Sequence, residues 1–304
     1  MRDTFVRTLI EEAKRNDKIE LVTGDLGFGV LKPFWEQLPD RFTNAGIAEQ
    51  NMTSVAAGMA LEGKTVFTYS IGNFPTLRAL EQIRNDCAYH SANVKIVCVG
   101  GGFVYGSLGM SHHATEDIAV MRALPGVTVL CPGDLAEAEA ATRAIISYRG
   151  TCYLRLGRGG EKRIHEKPID FKIGRAIKIE DGAEIAIFST GAIFEEVAGA
   201  VEKLKENGIG PTVYTFPTVK PIDRETVEAA AFSHKYIFTV EEHNVIGGFG
   251  SAVAEVIAET GGAKLIRLGI NDVYSTQVGN QKYLRDFYGI SAEKIAERII
   301  KECK

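Results

Sequence analysis

Short apolar runs alternate with longer stretches of helical period along this chain. Residues 19–22, 65–69, 94–99 and 127–131 are runs bounded by turn-forming residues, the pattern of strands buried on both faces. Helical spacing of apolar positions predicts helices near 4–16, 49–62, 75–92, 115–123 and 134–148. Alternation of this kind predicts a mostly parallel sheet with helices on both faces.

A polar stretch beginning Gly157-Arg158-Gly159-Gly160-Glu161-Lys162-Arg163 follows, and it runs to about Gly174 without either period. It reads as an interdomain linker. A second alternating set then begins, with strands at 185–188, 212–216, 236–240 and 265–268 and helices near 193–207, 223–231, 249–260 and 291–303. The expected organisation is two three-layer α/β domains: 1–160, a linker at 161–174, and a smaller domain of four or five strands at 175–304.

At 304 residues the chain has room for two ordinary domains. Its 45% apolar and 24% charged residues are globular values. A net charge of −4 leaves no basic footprint for nucleic acid, and no polybasic segment suggests an anionic membrane surface. The first residues, Met1-Arg2-Asp3-Thr4-Phe5-Val6-Arg7, lack the apolar run of a signal peptide, and no apolar stretch is long enough to span a bilayer. Five scattered cysteines, with no CxxC, fit buried free thiols in a reducing cytoplasm. Neither CxxC nor HExxH is present, so no metal site is expected on this chain.

Four segments carry candidate chemistry. Gly46-Ile47-Ala48-Glu49-Gln50 places one carboxylate in the first turn of a helix whose early residues are small, which lets a ligand approach closely. A helix N-terminus also stabilises an ionised carboxylate, so an ordinary first-turn Glu is the alternative. Asp25, in Thr23-Gly24-Asp25-Leu26-Gly27, ends the first strand, and carboxyl ends of strands in open α/β sheets face ligand crevices. An Asx turn would use the same residue. The loop Gly106-Ser107-Leu108-Gly109-Met110-Ser111-His112-His113 carries two of the six histidines, of which at most one can face a given ligand. Arg158, set among glycines, could grip a phosphate with its guanidinium fork or make a linker ion pair. The run Gly100-Gly101-Gly102 matches no phosphate-loop pattern and reads as a tight loop permitting close backbone approach.

Taken together, these pieces resemble the C-terminal half of a transketolase-type thiamine diphosphate enzyme, over essentially the whole chain. The strongest part is Phe42-Thr43-Asn44-Ala45-Gly46-Ile47-Ala48-Glu49-Gln50-Asn51-Met52 with Ala56-Ala57-Gly58-Met59-Ala60-Leu61-Glu62-Gly63. It is similar to the segment holding the catalytic glutamate in transketolase and in 1-deoxyxylulose-5-phosphate synthase. Val219-Lys220-Pro221-Ile222-Asp223, Thr239-Val240-Glu241-Glu242-His243-Asn244 and Gly247-Gly248-Phe249-Gly250 look like the family's C-terminal domain. The resemblance implies that Glu49 hydrogen-bonds the pyrimidine of thiamine diphosphate in a poorly solvated site. It implies that Phe74, with Tyr69 nearby, packs on that ring, and that Asp25 lies near the cofactor. His112 would contact the donor's oxygens and His113 takes the following position. Arg158 retains a phosphate-type ligand. Leu108, Gly100 and Gly29 stand where the family has an aspartate, a histidine and a serine that contact substrate or phosphate, which puts the usual sugar phosphate in question.

The family's diphosphate and Mg²⁺ motif is absent, because Gly24-Asp25-Leu26 and Gly133-Asp134-Leu135 both lack its second glycine. The resemblance therefore implies half a site and a partner, an N-terminal thiamine diphosphate-binding subunit, in an α₂β₂ assembly. The implied reaction is transfer of a two-carbon ketol unit from a ketose or its phosphate to an aldose. The alternatives are a β-type subunit of a 2-oxo acid dehydrogenase, a decarboxylating synthase of the deoxyxylulose type, and a non-catalytic regulatory partner. Ala45-Gly46-Ile47-Ala48-Glu49-Gln50 and Ser111-His112 favour the first reaction.

Overall fold

The structure is a computed structural model that describes residues 1–303. The first half runs α1 (Arg2–Ala13), β1 (Ile19–Thr23), α2 (Phe28–Gln37), β2 (Phe42–Asn44), α3 (Glu49–Leu61), β3 (Thr65–Ile71), α4 (Leu80–Gln82), β4 (Val94–Val99), α5 (Asp117–Ala123), β5 (Thr128–Leu130), α6 (Leu135–Ser147) and β6 (Cys152–Leu156). The second half runs β7 (Ile177–Glu180), β8 (Ile185–Thr190), α7 (Phe194–Glu206), β9 (Thr212–Thr215), β10 (Thr218–Lys220), α8 (Arg224–Ser233), β11 (Tyr236–Asn244), α9 (Phe249–Thr260), β12 (Lys264–Ile270), α10 (Gln281–Phe287) and α11 (Ala292–Cys303).

The strands form two sheets, as the two-domain reading expects. The first has seven strands in the order β10-β5-β6-β4-β3-β1-β2, and the second has five in the order β12-β11-β8-β9-β7. Pairing is parallel except for β10 on β5 and β7 on β9. The central strands β1, β4, β6 and β8 are buried at every position. Helices cover both faces of such strands, so they read as continuous apolar runs.

Four strands went unanticipated, each for a physical reason. Arg155 interrupts the apolar run of β6, β2 is a short partly exposed edge, and β7 is half-exposed. β10 belongs by sequence to the second half, yet it closes the edge of the first sheet. The helix expected at 75–92 also differs. Residues 72–79 form irregular turns, followed by the short α4 and a π-helical turn at Ile83–Ala88. Pro75 disfavours helical backbone at Phe74, and Gly72 sits at φ 46°.

Both faces of each sheet pack. Phe5, Leu9, Phe34 and Ile145 from α1, α2 and α6 fill one side of the first sheet. The other side, with Met52 and Ala56 of α3, is continuous with Phe188, Phe216 and Phe249 of the second domain, so one core spans the junction. Residues 161–174 carry no helix or strand, but they are pinned. Ile164 packs on the second domain and Phe171 and Ile173 on the first. The backbone N–H groups of Ile164 and His165 donate to Asp134 Oδ2 at 2.8 and 2.9 Å. Among the described residues no helix is long and apolar enough to cross a membrane.

Candidate active site

Glu49 is the first residue of α3 and lies beside Gly24, just past the end of β1. Its side chain is 2% exposed. A methyl group on Gly24, just past β1, would touch Glu49 at 3.4 Å, so the glycine leaves the carboxylate its place. Ser70 Oγ of β3 lies 3.5 Å from Glu49 Oε1, and Arg78 Nη1 donates to Oε2 at 2.8 Å. The sequence-based reading missed both neighbours. Arg78 fell inside a predicted helix with 28 residues between it and Glu49, and nothing local marked it.

Phe74 stands beside this group. The Arg78 guanidinium carbon is 4.6 Å from its ring centroid, and its edge-to-face contact with His112 spans 5.2 Å. The turns at 72–78 lie against the histidine loop. Asn73 Nδ2 donates to His113 O at 2.7 Å, and a side chain on Gly72 would meet His112 O. Glu49, Phe74, Arg78 and His112 thus form one cluster at the carboxyl ends of β1, β3 and β4.

Asp25 is held nearby in left-handed backbone at φ 55°. Its N–H donates to Asn44 Oδ1 at 3.1 Å, and Asn44 Nδ2 returns a bond to Asp25 Oδ1 at 2.9 Å. The same Asn44 oxygen accepts from Gly46 N–H at 3.0 Å, which fixes the approach to Glu49. Asp25 therefore serves as one half of an asparagine clamp.

Tyr69 goes elsewhere. Side chains alternate along a strand, so when Ser70 faces Glu49 its neighbour must face the other side of the sheet. Tyr69 is buried there, 6.3 Å from the Phe5 ring. His113 also turns inward. It is 3% exposed and meets Phe103 edge-on at 5.2 Å, while Phe103 stacks on Tyr288 of the second domain. Of the two histidines only His112 faces the cluster. Burial, with a smaller contribution from His113, lowers the His112 pKa and favours the neutral ring.

Arg158 is exposed and lies 5.6 Å from the Tyr105 ring, which is itself 6.5 Å from His112. Arg2 also faces Tyr105, where burial raises the phenol and both guanidinium groups oppose that shift. Arg158 is thus joined to the cluster through Tyr105.

The glycine run is a close-approach loop, as expected. A methyl on Gly101 would fall 2.6 Å from Arg155 Nε, and one on Gly102 would fall 2.6 Å from Glu242 Cδ. Arg155 pairs with the buried Asp117 at 2.7 Å and also donates to Ala114 O and Glu242 O. Glu242 accepts from Phe103 N–H at 2.8 Å and from Arg285 at 2.7 Å. These buried bonds moor both ends of the histidine loop to the second domain.

Comparison with known proteins gives two family matches. Residues 1–160 match the family described as transketolase, pyrimidine binding domain, and residues 174–295 match transketolase, C-terminal domain. A chain of Methanocaldococcus jannaschii, provisionally described as a transketolase C-terminal section, is 42% identical over 308 residues, covering 100% of this chain and 96% of that one. A subunit of 6-deoxy-6-sulfo-D-fructose transketolase from Clostridium sp. strain MSTE9 is 37% identical over 296 residues, covering 97% and 92%. A solved structure described as a split gene transketolase, inactive β4 tetramer, superposes with a TM-score of 0.91 at 35% identity, covering 99% and 97%.

Proposed function

The chain belongs to the transketolase family, and from that premise we propose that it is the C-terminal subunit of a split, thiamine diphosphate-dependent transketolase. It moves a two-carbon ketol unit from a ketose to an aldose acceptor. The observation that carries this reading is the buried carboxylate of Glu49 beside Phe74 and His112.

The residues fit the pyrimidine end of the cofactor. Glu49 offers one buried acceptor, Gly24 leaves room beside it, and Phe74 supplies an aromatic face. When bound, thiamine diphosphate supplies the nucleophilic carbon and the electron sink. Glu49 holds or shares a proton at the ring nitrogen, and its burial keeps water from competing for that proton. Phe74 fixes the ring plane. His112, whose pKa burial lowers, orients donor oxygens with its ring nitrogens. Arg158, outside Tyr105, takes an anionic end of the substrate. The sulfonate in the name of one relative's substrate supports an anion-bearing ketose as donor.

The diphosphate and Mg²⁺ are held by an N-terminal partner subunit in an α₂β₂ assembly. The missing second glycine in Gly24-Asp25-Leu26 and the split-gene relative support this division. Five unpaired cysteines, four of them buried, suit a reducing cytoplasm. The test is to co-purify the chain with candidate N-terminal subunits, add thiamine diphosphate and Mg²⁺, and assay ketose donors with and without an anionic group against aldehyde acceptors. A stable complex with ketol transfer is expected. Failure to bind any thiamine-binding half overturns the split-enzyme reading.

A further inference from the structure

Arg78 makes the two contacts assigned above to a bound pyrimidine. Its Nη1 donates to Glu49 Oε2 at 2.8 Å, and its guanidinium carbon lies 4.6 Å from the Phe74 centroid. A guanidinium is planar, donates N–H groups in its plane and packs its face on aromatic rings. An aminopyrimidine protonated at its ring nitrogen has the same three properties. The cation can also leave, because the Arg78 side chain is 47% exposed while Glu49 is 2% exposed.

We propose that Arg78 is an internal stand-in for the pyrimidine, making the same contacts to Glu49 and Phe74 and exchanging with the cofactor when it binds. This rests on the assignment of Glu49 and Phe74 to the cofactor. A buried carboxylate left without a partner is destabilising, so Arg78 supplies Glu49 with a partner whenever the pyrimidine does not. The same contact competes with the cofactor, and apparent affinity falls by the fraction of molecules in which the site is covered. The chain around Arg78 suits such a movement. It lies in irregular turns after Gly72 at φ 46°, ahead of the π-helical turn Ile83–Ala88, a feature frequent at functional sites.

The test is calorimetric titration of thiamine diphosphate, with Mg²⁺, into the full chain assembled with its N-terminal partner. Wild type, Arg78→Gln, Arg78→Ala and Glu49→Gln are compared, with circular dichroism as the check on folding. Both Arg78 variants are expected to bind about two- to fivefold more tightly, the size of one half-exposed ion pair. Equal or weaker binding overturns the proposal, since a productive contact or a purely structural residue gives that result. A second measurement needs only wild type. Phenylglyoxal labelling of Arg78, read by peptide mass spectrometry, is expected to quicken when cofactor is added, and protection overturns the proposal. Glu49→Gln binding as tightly as wild type would instead remove the Glu49 assignment on which the proposal rests.

Discussion

Phe74 meets His112 edge to face, with ring centroids 5.2 Å apart at 73°. This contact joins the turns after β3 to the loop after β4, and so the glutamate side of the site to the histidine side. Neither residue is anchored by its own element alone. Asn73 clamps one loop to the other, and Arg155 and Glu242 moor the histidine loop from beneath.

Glu49→Gln should lower turnover of the assembled enzyme at least about a hundredfold, the scale of a lost proton-transfer partner. The far-ultraviolet circular dichroism should be unchanged, because glutamine keeps the shape of the side chain. Turnover within about tenfold of wild type would remove Glu49 from the chemistry.

Arg158→Met should raise KM for phosphorylated or sulfonated ketoses roughly tenfold or more, the cost of losing a hydrogen bond to a charged group. The kcat should change little, and uncharged donors should be unaffected. Equal effects on charged and uncharged donors would place the anion elsewhere.

Gly102→Ala should destabilise the chain by about 2–3 kcal/mol, measured by urea unfolding. Gly102 sits at φ 67°, and the added methyl would fall 2.6 Å from Glu242 Cδ. Because Glu242 holds Phe103, ketol transfer should fall as well.

Asp117→Asn should cost about 3–5 kcal/mol, since it strands the buried Arg155 cation without its partner. Burial opposes ionisation of Asp117, but Arg155, His243 and Tyr153 together hold its pKa below the ordinary value. A loss under about 1 kcal/mol in urea would show that the pair is solvated.

Acid should weaken the second domain through His243, whose pKa burial lowers from 6.5 to about 4. Its folded pKa is depressed, so this contribution is complete above pH 6.5 and lost as pH falls toward 4. His243→Gln should recover up to about 3 kcal/mol of that loss. Glu241, 3.7 Å away, has the opposite sign, because burial raises it from 4.5 to about 7. Its contribution is complete below pH 4.5 and lost as pH rises through 7, so Glu241→Gln should flatten that side. Urea midpoints between pH 4 and 8 read both slopes.

Much of the scaffold was legible because burial leaves a local mark. β1, β3, β4 and β8 are nearly all buried and so appear as unbroken apolar runs. β6 was not legible, since Arg155 is tolerated there only through Asp117, which lies on α5. Tyr69 shows a finer limit. Its aromatic character suited a pocket wall, but strand alternation sends Ser70 to Glu49 and Tyr69 to the core. His113 was separated from His112 in the same way, by loop geometry that no composition reveals.

The amino-acid sequence by itself determined the two α/β units, the helix start that carries Glu49, and the loop that carries His112. Each depends on periodicity or turn chemistry within a few residues. Only the tertiary structure decided that β10 closes the first sheet, that Arg78 covers Glu49, and that Phe74 joins His112. Those relationships join residues far apart in the chain. They exist because packing across the whole core brings the ends of parallel strands together, and no local pattern encodes that convergence.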